Sequence, residues 1–184
     1  MSDLPIDLVP FGQVEKKDRT VALPPNGDFL IDVFGFREAL ASADTLILPP
    51  DVRSNVVSLA GLALLKLVCW QHRHYAHPRK DAVDLRIIAA NYLRAGNEHR
   101  LWDEFVDWTQ EDEFDYESAG ARLLGHDIRA LLDRPGIERL AVLLSEQADE
   151  STPARLPAEM NTHDPDRARG MLESMLSGLV EDGL

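Results

Sequence analysis

Apolar and polar positions change rhythm once along the chain. Before residue 58 the apolar residues come in short runs, "PIDLVPFG", "RTVALPP", "FLIDVFGF", "TLILPP" and "VRSNVVS", bounded by prolines and glycines. Runs of this kind predict strands. "FREALASA" between them predicts one short helix. From residue 58 to 148 the period is that of a helix. Ser58 is placed to cap "LAGLALLKLVCWQHR". A second helix starts near Asp81, runs to about Leu93 and ends at "AGN". "EHRLWDEFVDWTQ" sets Leu101, Phe105 and Trp108 at helical spacing, and "DYESAGARLLGHDIRALL" sets Ala121, Leu124, Ile128 and Leu131. "PGIERLAVLLSEQA" is one more helix, with Pro135 near its start. Residues 149–164 have no period and several prolines, and read as a linker or surface loop. A last amphipathic helix carries Met171, Leu172, Met175, Leu176 and Leu179, with Asp164 as its N-cap.

The expected fold is therefore α+β: a small mixed β-sheet over residues 1–57 packed on a helical bundle over 58–148. Residues 149–184 supply the linker and the terminal helix. The length of 184 residues suits one domain, or one with a short appendage, and 45% hydrophobic content is enough for a real core. A net charge of −13 argues against a nonspecific grip on DNA or other nucleic acid. One cysteine, Cys69, leaves no internal disulfide and fits a reducing compartment. No apolar run reaches the length of a membrane span, and no signal peptide is visible at the N-terminus. A cytoplasmic location is the expectation.

Candidate chemistry centres on Lys66. On a helix it shares a face with Leu62, Trp70 and Arg73, while Leu65, Leu67 and Val68 bury most of the remaining surface. A lysine so placed must extend to water along its stem or meet an anion. Asp81 and Asp84 stand three apart at the head of the next helix and project from one face of it. Two readings follow: a structural ion pair between helices, which is the commoner arrangement, or a site. Asp7 adds weight to the second, because aspartate is disfavoured inside an apolar strand. Its carboxylate points to a cleft, binds a partner or sits on the wet face of the sheet. His72, His74 and His77 lie close together, but spacings of two and three match no standard zinc pattern. Ser118 and Ser145 lack a nearby His and Asp, and Gly12 and Gly35 form no phosphate loop.

"IDLVPFG", "VFGFREALASAD", "VVSLAGLALLKLVCWQHR", "RKDAVDL" and "AGARLLGHDIRALL", in this order and spacing, resemble bacterial nucleotidyltransferase-fold proteins of the AbiEii toxin group. The resemblance covers about residues 5–132. It implies a small sheet bearing catalytic carboxylates, followed by a helical domain. It implies transfer of a nucleotidyl group from a nucleoside triphosphate to a protein, RNA or small-molecule acceptor, with Mg²⁺ as cofactor. An antitoxin partner is implied as well. Carried over by position, Asp7, Lys66 and Asp81 match catalytic places, with Asp7 also a metal ligand. Lys66, with Arg73 and Asp84, matches the nucleotide-binding face. The chemistry agrees: metal on hard oxygen ligands, a cation at the phosphates and a carboxylate for the acceptor.

The sequence also departs from the family. No Gly-Ser turn and no Asp-x-Asp pair occurs in the β half, and the "DPD" of Asp164–Asp166 reads as a helix start. The segment that should carry the metal pair is expected to be missing, so the chain is expected to be incomplete and inert alone. The alternative is a non-catalytic nucleotide- or protein-binding module derived from the same fold.

Overall fold

The computed structural model describes residues 8–23, 25, 27–73, 79–151 and 153–181. The N-terminal part holds two antiparallel hairpins. β1 (Thr20–Leu23) pairs with β2 (Phe29–Asp32), with Thr20 opposite Asp32. A short helix, α1 (Phe36–Ala41), intervenes. β3 (Asp44–Leu48) then pairs with β4 (Val52–Val56), with Asp44 opposite Val56. The fold is α+β as expected, but its β part is two separate hairpins rather than one mixed sheet. Residues 8–11 of the first expected strand are irregular, and residues 5–7 lie outside the described set. A period-2 pattern marks strands; it does not say which strands pair.

Among the described residues seven further helices follow. α2 (Leu59–Arg73) begins where Ser58 caps it: the Ser58 hydroxyl accepts from the Gly61 N–H at 3.1 Å. α3 (Lys80–Asn91) gives way to a wide turn over Leu93–Asn97, where Gly96 takes φ 105°. The segment expected as one helix at residues 98–110 is two pieces, α4 (Glu98–Asp103) and a 3₁₀ turn over Val106–Gln110. Breaking there buries both Leu101 and Trp108. α5 (Tyr116–Leu131), α6 (Arg134–Ala148) and α8 (Pro165–Val180) each start on an aspartate whose side chain accepts a first-turn N–H: Asp115, Asp133 and Asp164.

The stretch read as a linker contains α7 (Arg155–Met160), which buries Leu156, Pro157 and Met160. Six residues show too few turns for a period to be legible, and Pro157 masked the helix further. α7 is tied to α2. The Trp70 indole N–H donates to Glu159 at 2.6 Å, and the Arg155 guanidinium lies 4.7 Å from the centre of the Trp70 ring.

One apolar core joins α2, α3, α5, α6, α7 and α8, and among the described residues Phe34 reaches it from the hairpin part. α5 and α8 make the closest contact. A Cβ on Gly125 would run into the Met175 carbonyl oxygen, and one on Gly178 into the Arg122 carbonyl oxygen. This backbone-to-backbone approach explains why those two positions are glycine.

Candidate functional site

α2 and α3 are joined by a short connection, so they lie side by side. Lys66 comes from the middle of α2. Asp81 comes from the first turn of α3, where the helix dipole favours a negative charge. Asp84 stands one turn further on the same face. The structure brings the three together: Lys66 Nζ donates to Asp81 Oδ1 at 2.9 Å and to Asp84 Oδ2 at 2.6 Å. Burial pulls the Lys66 pKa down, but hydrogen bonds to Asp84 and Asp81 outweigh it and leave it raised.

The two carboxylates are not equivalent. The Asp81 side chain is 8% exposed and that of Asp84 is 39% exposed. Asp81 is buried. A buried carboxylate needs a partner, and Lys66 is that partner. Asp84 is partly open to water. The site thus holds one buried ion pair and a second, partly exposed anion on the same ammonium. As it stands, one cation serves two anions, for a local charge of −1.

Among the described residues no group of three His, Cys, Asp or Glu side chains is placed to hold a metal ion. Asp81 and Asp84, the nearest approach to a carboxylate pair, already close on an ammonium. The described residues therefore do not fit a magnesium cage. Asp7, the expected metal ligand and third catalytic carboxylate, lies outside the described residues, as do His74 and His77. Arg73 is the last residue of α2, and its side chain lies outside the described set.

A second polar cluster was not expected. Asp32, at the end of β2, accepts from the Phe34 N–H at 2.8 Å and from Arg139 Nη2, and its Oδ2 lies 2.7 Å from His72 Nε2. Arg139 also stacks 4.4 Å over the Phe34 ring. This one carboxylate joins the first hairpin to α2 and α6. The signal was the one that marked Asp7, an aspartate at an apolar strand, but its partners lie 40 and 107 positions away and left no local trace. A third network is also invisible in the sequence: Asp127 takes both guanidinium nitrogens of Arg100, at 2.6 and 3.0 Å, and the Tyr92 hydroxyl at 2.5 Å.

No curated protein and no solved structure matches the chain. The family described as nucleotidyl transferase AbiEii toxin, of type IV toxin–antitoxin systems, matches over residues 10–179. That span takes in both hairpins, the Lys66–Asp81–Asp84 site and all but the last residue of α8. The chain belongs to the AbiEii nucleotidyl transferase toxin family.

Proposed function

We propose that the chain supplies the phosphate-gripping part of a nucleotidyltransferase, with Lys66 as the cation that meets the triphosphate. The observation that carries this reading is the pairing of Lys66 with one buried and one half-exposed carboxylate. Asp81 holds the ammonium in place and is a positioning residue. Asp84 gives way to the incoming phosphate and is then free to face the acceptor, where a carboxylate orients a hydroxyl for attack. Arg73, three residues beyond Trp70 in α2, is assigned as a second cation for the nucleotide on its place in the sequence.

Charge on the transferring phosphates is ordinarily neutralised by magnesium. Since the described residues do not fit that ion, the roles assigned here run through Lys66, Asp81 and Asp84 alone. The acceptor is a protein or an RNA, and an antitoxin is the expected partner, in the cytoplasm. The second reading is a non-catalytic binding module. It is favoured by the same geometry, because an ammonium held by two anions is a weak phosphate site until one of them moves.

Calorimetric titration of the purified chain with a nucleoside triphosphate and magnesium tests the reading. Saturable binding that is lost in Lys66→Ala, with folding unchanged by circular dichroism, is the expected result. Binding that survives the substitution removes Lys66 from the site. Incubation with α-labelled triphosphate separates the two readings: little or no transfer is expected from this chain alone. Strong magnesium-dependent labelling, abolished in Asp7→Ala, overturns the inert module.

A further inference from the structure

A cavity of about 200 Å³ is bordered by α3, α5, α8 and the end of α7. Arg86 and Ala90 line it from α3, Glu117 from α5, and Arg167 and Met171 from α8. Asn161, which ends α7, completes the lining. Arg86 is the unexplained group there. Its Nε is shut off from water and meets no acceptor. Arg122 has a buried, unbonded Nε as well, but its other nitrogens reach Glu111 and Glu181. Among the described residues Arg86 has no such carboxylate. In a chain with 32 acidic residues against 19 lysines and arginines, a half-buried arginine without an anion is out of place. A buried donor left without an acceptor is costly.

The surroundings supply the rest of an anion site. Arg167 gives Nη2 to Glu117 at 2.8 Å and keeps its other donors. Asn161 Oδ1 accepts the His163 and Asp164 N–H groups at 3.2 Å each, which leaves its NH₂ to donate. Two guanidinium groups against one carboxylate give the lining a charge of +1, in a chain of net −13. Ala90 and Met171 add apolar wall, beside which charge-assisted hydrogen bonds are strong. One guanidinium fork serves a planar carboxylate; donors from three elements suit the four oxygens of a tetrahedral anion. We propose that this cavity binds a phosphate group between Arg86 and Arg167. Its volume is below the roughly 300 Å³ at which sites for larger ligands begin, and at about 30 Å³ per water it holds the ion with a few waters. Arg86 stands two residues past Asp84, about 200° round α3. The site is therefore separate from Lys66 and does not rest on the reading given for it.

The full chain is titrated calorimetrically with inorganic phosphate, glycerol 2-phosphate and acetate, and its melting midpoint is followed with each. Inorganic phosphate is expected to bind saturably and to raise the midpoint, since a ligand of the folded chain alone stabilises it. Arg86→Gln weakens this binding roughly tenfold or more, the loss of a charged hydrogen-bonding group, and removes the rise in midpoint. Arg86→Lys keeps the charge and most of the stem but not the fork. It is expected to bind at intermediate strength, and it carries the test if Arg86→Gln does not fold. Lys66→Ala keeps the Arg86-dependent binding. Absence of saturable phosphate binding overturns the site, and so does an affinity unchanged in both Arg86 variants. Binding lost in Lys66→Ala but kept in Arg86→Gln assigns the phosphate to Lys66 and overturns this site. Acetate bound as tightly as phosphate overturns the tetrahedral ligand. Tighter binding of glycerol 2-phosphate than of inorganic phosphate identifies a phosphorylated molecule as the ligand, and the reverse order identifies the free ion; either order supports the site.

Discussion

The hairpins and the helical bundle bury their apolar residues in opposite ways. In the bundle, Leu64, Leu124 and Leu144 are fully enclosed. In the hairpins, Phe29 is 65% and Ile47 67% exposed, and every residue of β3 faces solvent. Two-stranded hairpins are marginal on their own, so these depend on a few anchors into the bundle. Phe34 supplies the apolar one. Asp32 supplies the polar one, through His72 and Arg139. Stability therefore resides in the bundle, and Asp32 sits at the seam between the two parts.

The largest test of that contrast is Gly178→Leu, or Gly125→Leu, between α5 and α8. A side chain at either position collides with a backbone carbonyl, and the helices must part. We expect a loss of about 3 kcal/mol or more, read from the urea midpoint. A loss below about 1 kcal/mol would contradict the close packing.

Next comes Asp127→Ala, which leaves Arg100 and the Tyr92 hydroxyl without their shared anion. About 3 kcal/mol is the expected cost of breaking a pair of this kind. The same carboxylate predicts a pH dependence. Burial raises the Asp127 pKa, but hydrogen bonds from Arg100 and Tyr92 lower it further, for a net value below the ordinary 3.8. A depressed carboxylate stabilises above its unfolded pKa, and its contribution is lost as pH falls through the folded value. Acid unfolding below about pH 4 is therefore expected to be shallower in Asp127→Asn than in the parent chain. Equal acid limbs would remove Asp127 from the account.

The smallest effect is expected in the hairpins. Ile47→Ser removes a mostly exposed side chain and is expected to change stability by less than about 0.5 kcal/mol. A loss of about 2 kcal/mol or more would mean that β3 is covered in solution.

The bundle was legible because caps and periods agree there. Ser58 before a run of leucines, and Asp164 before "PDRARG", mark helix starts that the structure bears out. Lys66 beside Asp81 and Asp84 was legible for a related reason: an ammonium set among leucines needs an anion, and the next helix offered two. The hairpins were harder, because alternation over four or five residues marks a strand without naming its partner. α7 was too short to show a period. Asp32–Arg139 and Arg100–Asp127 could not be read at all, since each joins residues far apart and neither has a local motif.

The central claim is that Lys66 is a phosphate grip held in reserve by Asp84. Titration of the parent chain and of Asp84→Asn with inorganic tripolyphosphate tests it most directly. Removing the exposed anion leaves Asp81 to hold the ammonium and takes one competing charge from the site. The account predicts tighter tripolyphosphate binding in Asp84→Asn, by roughly tenfold, and none in Lys66→Ala. An affinity that is unchanged or weaker in Asp84→Asn would contradict it and leave the three residues as a structural tie between α2 and α3.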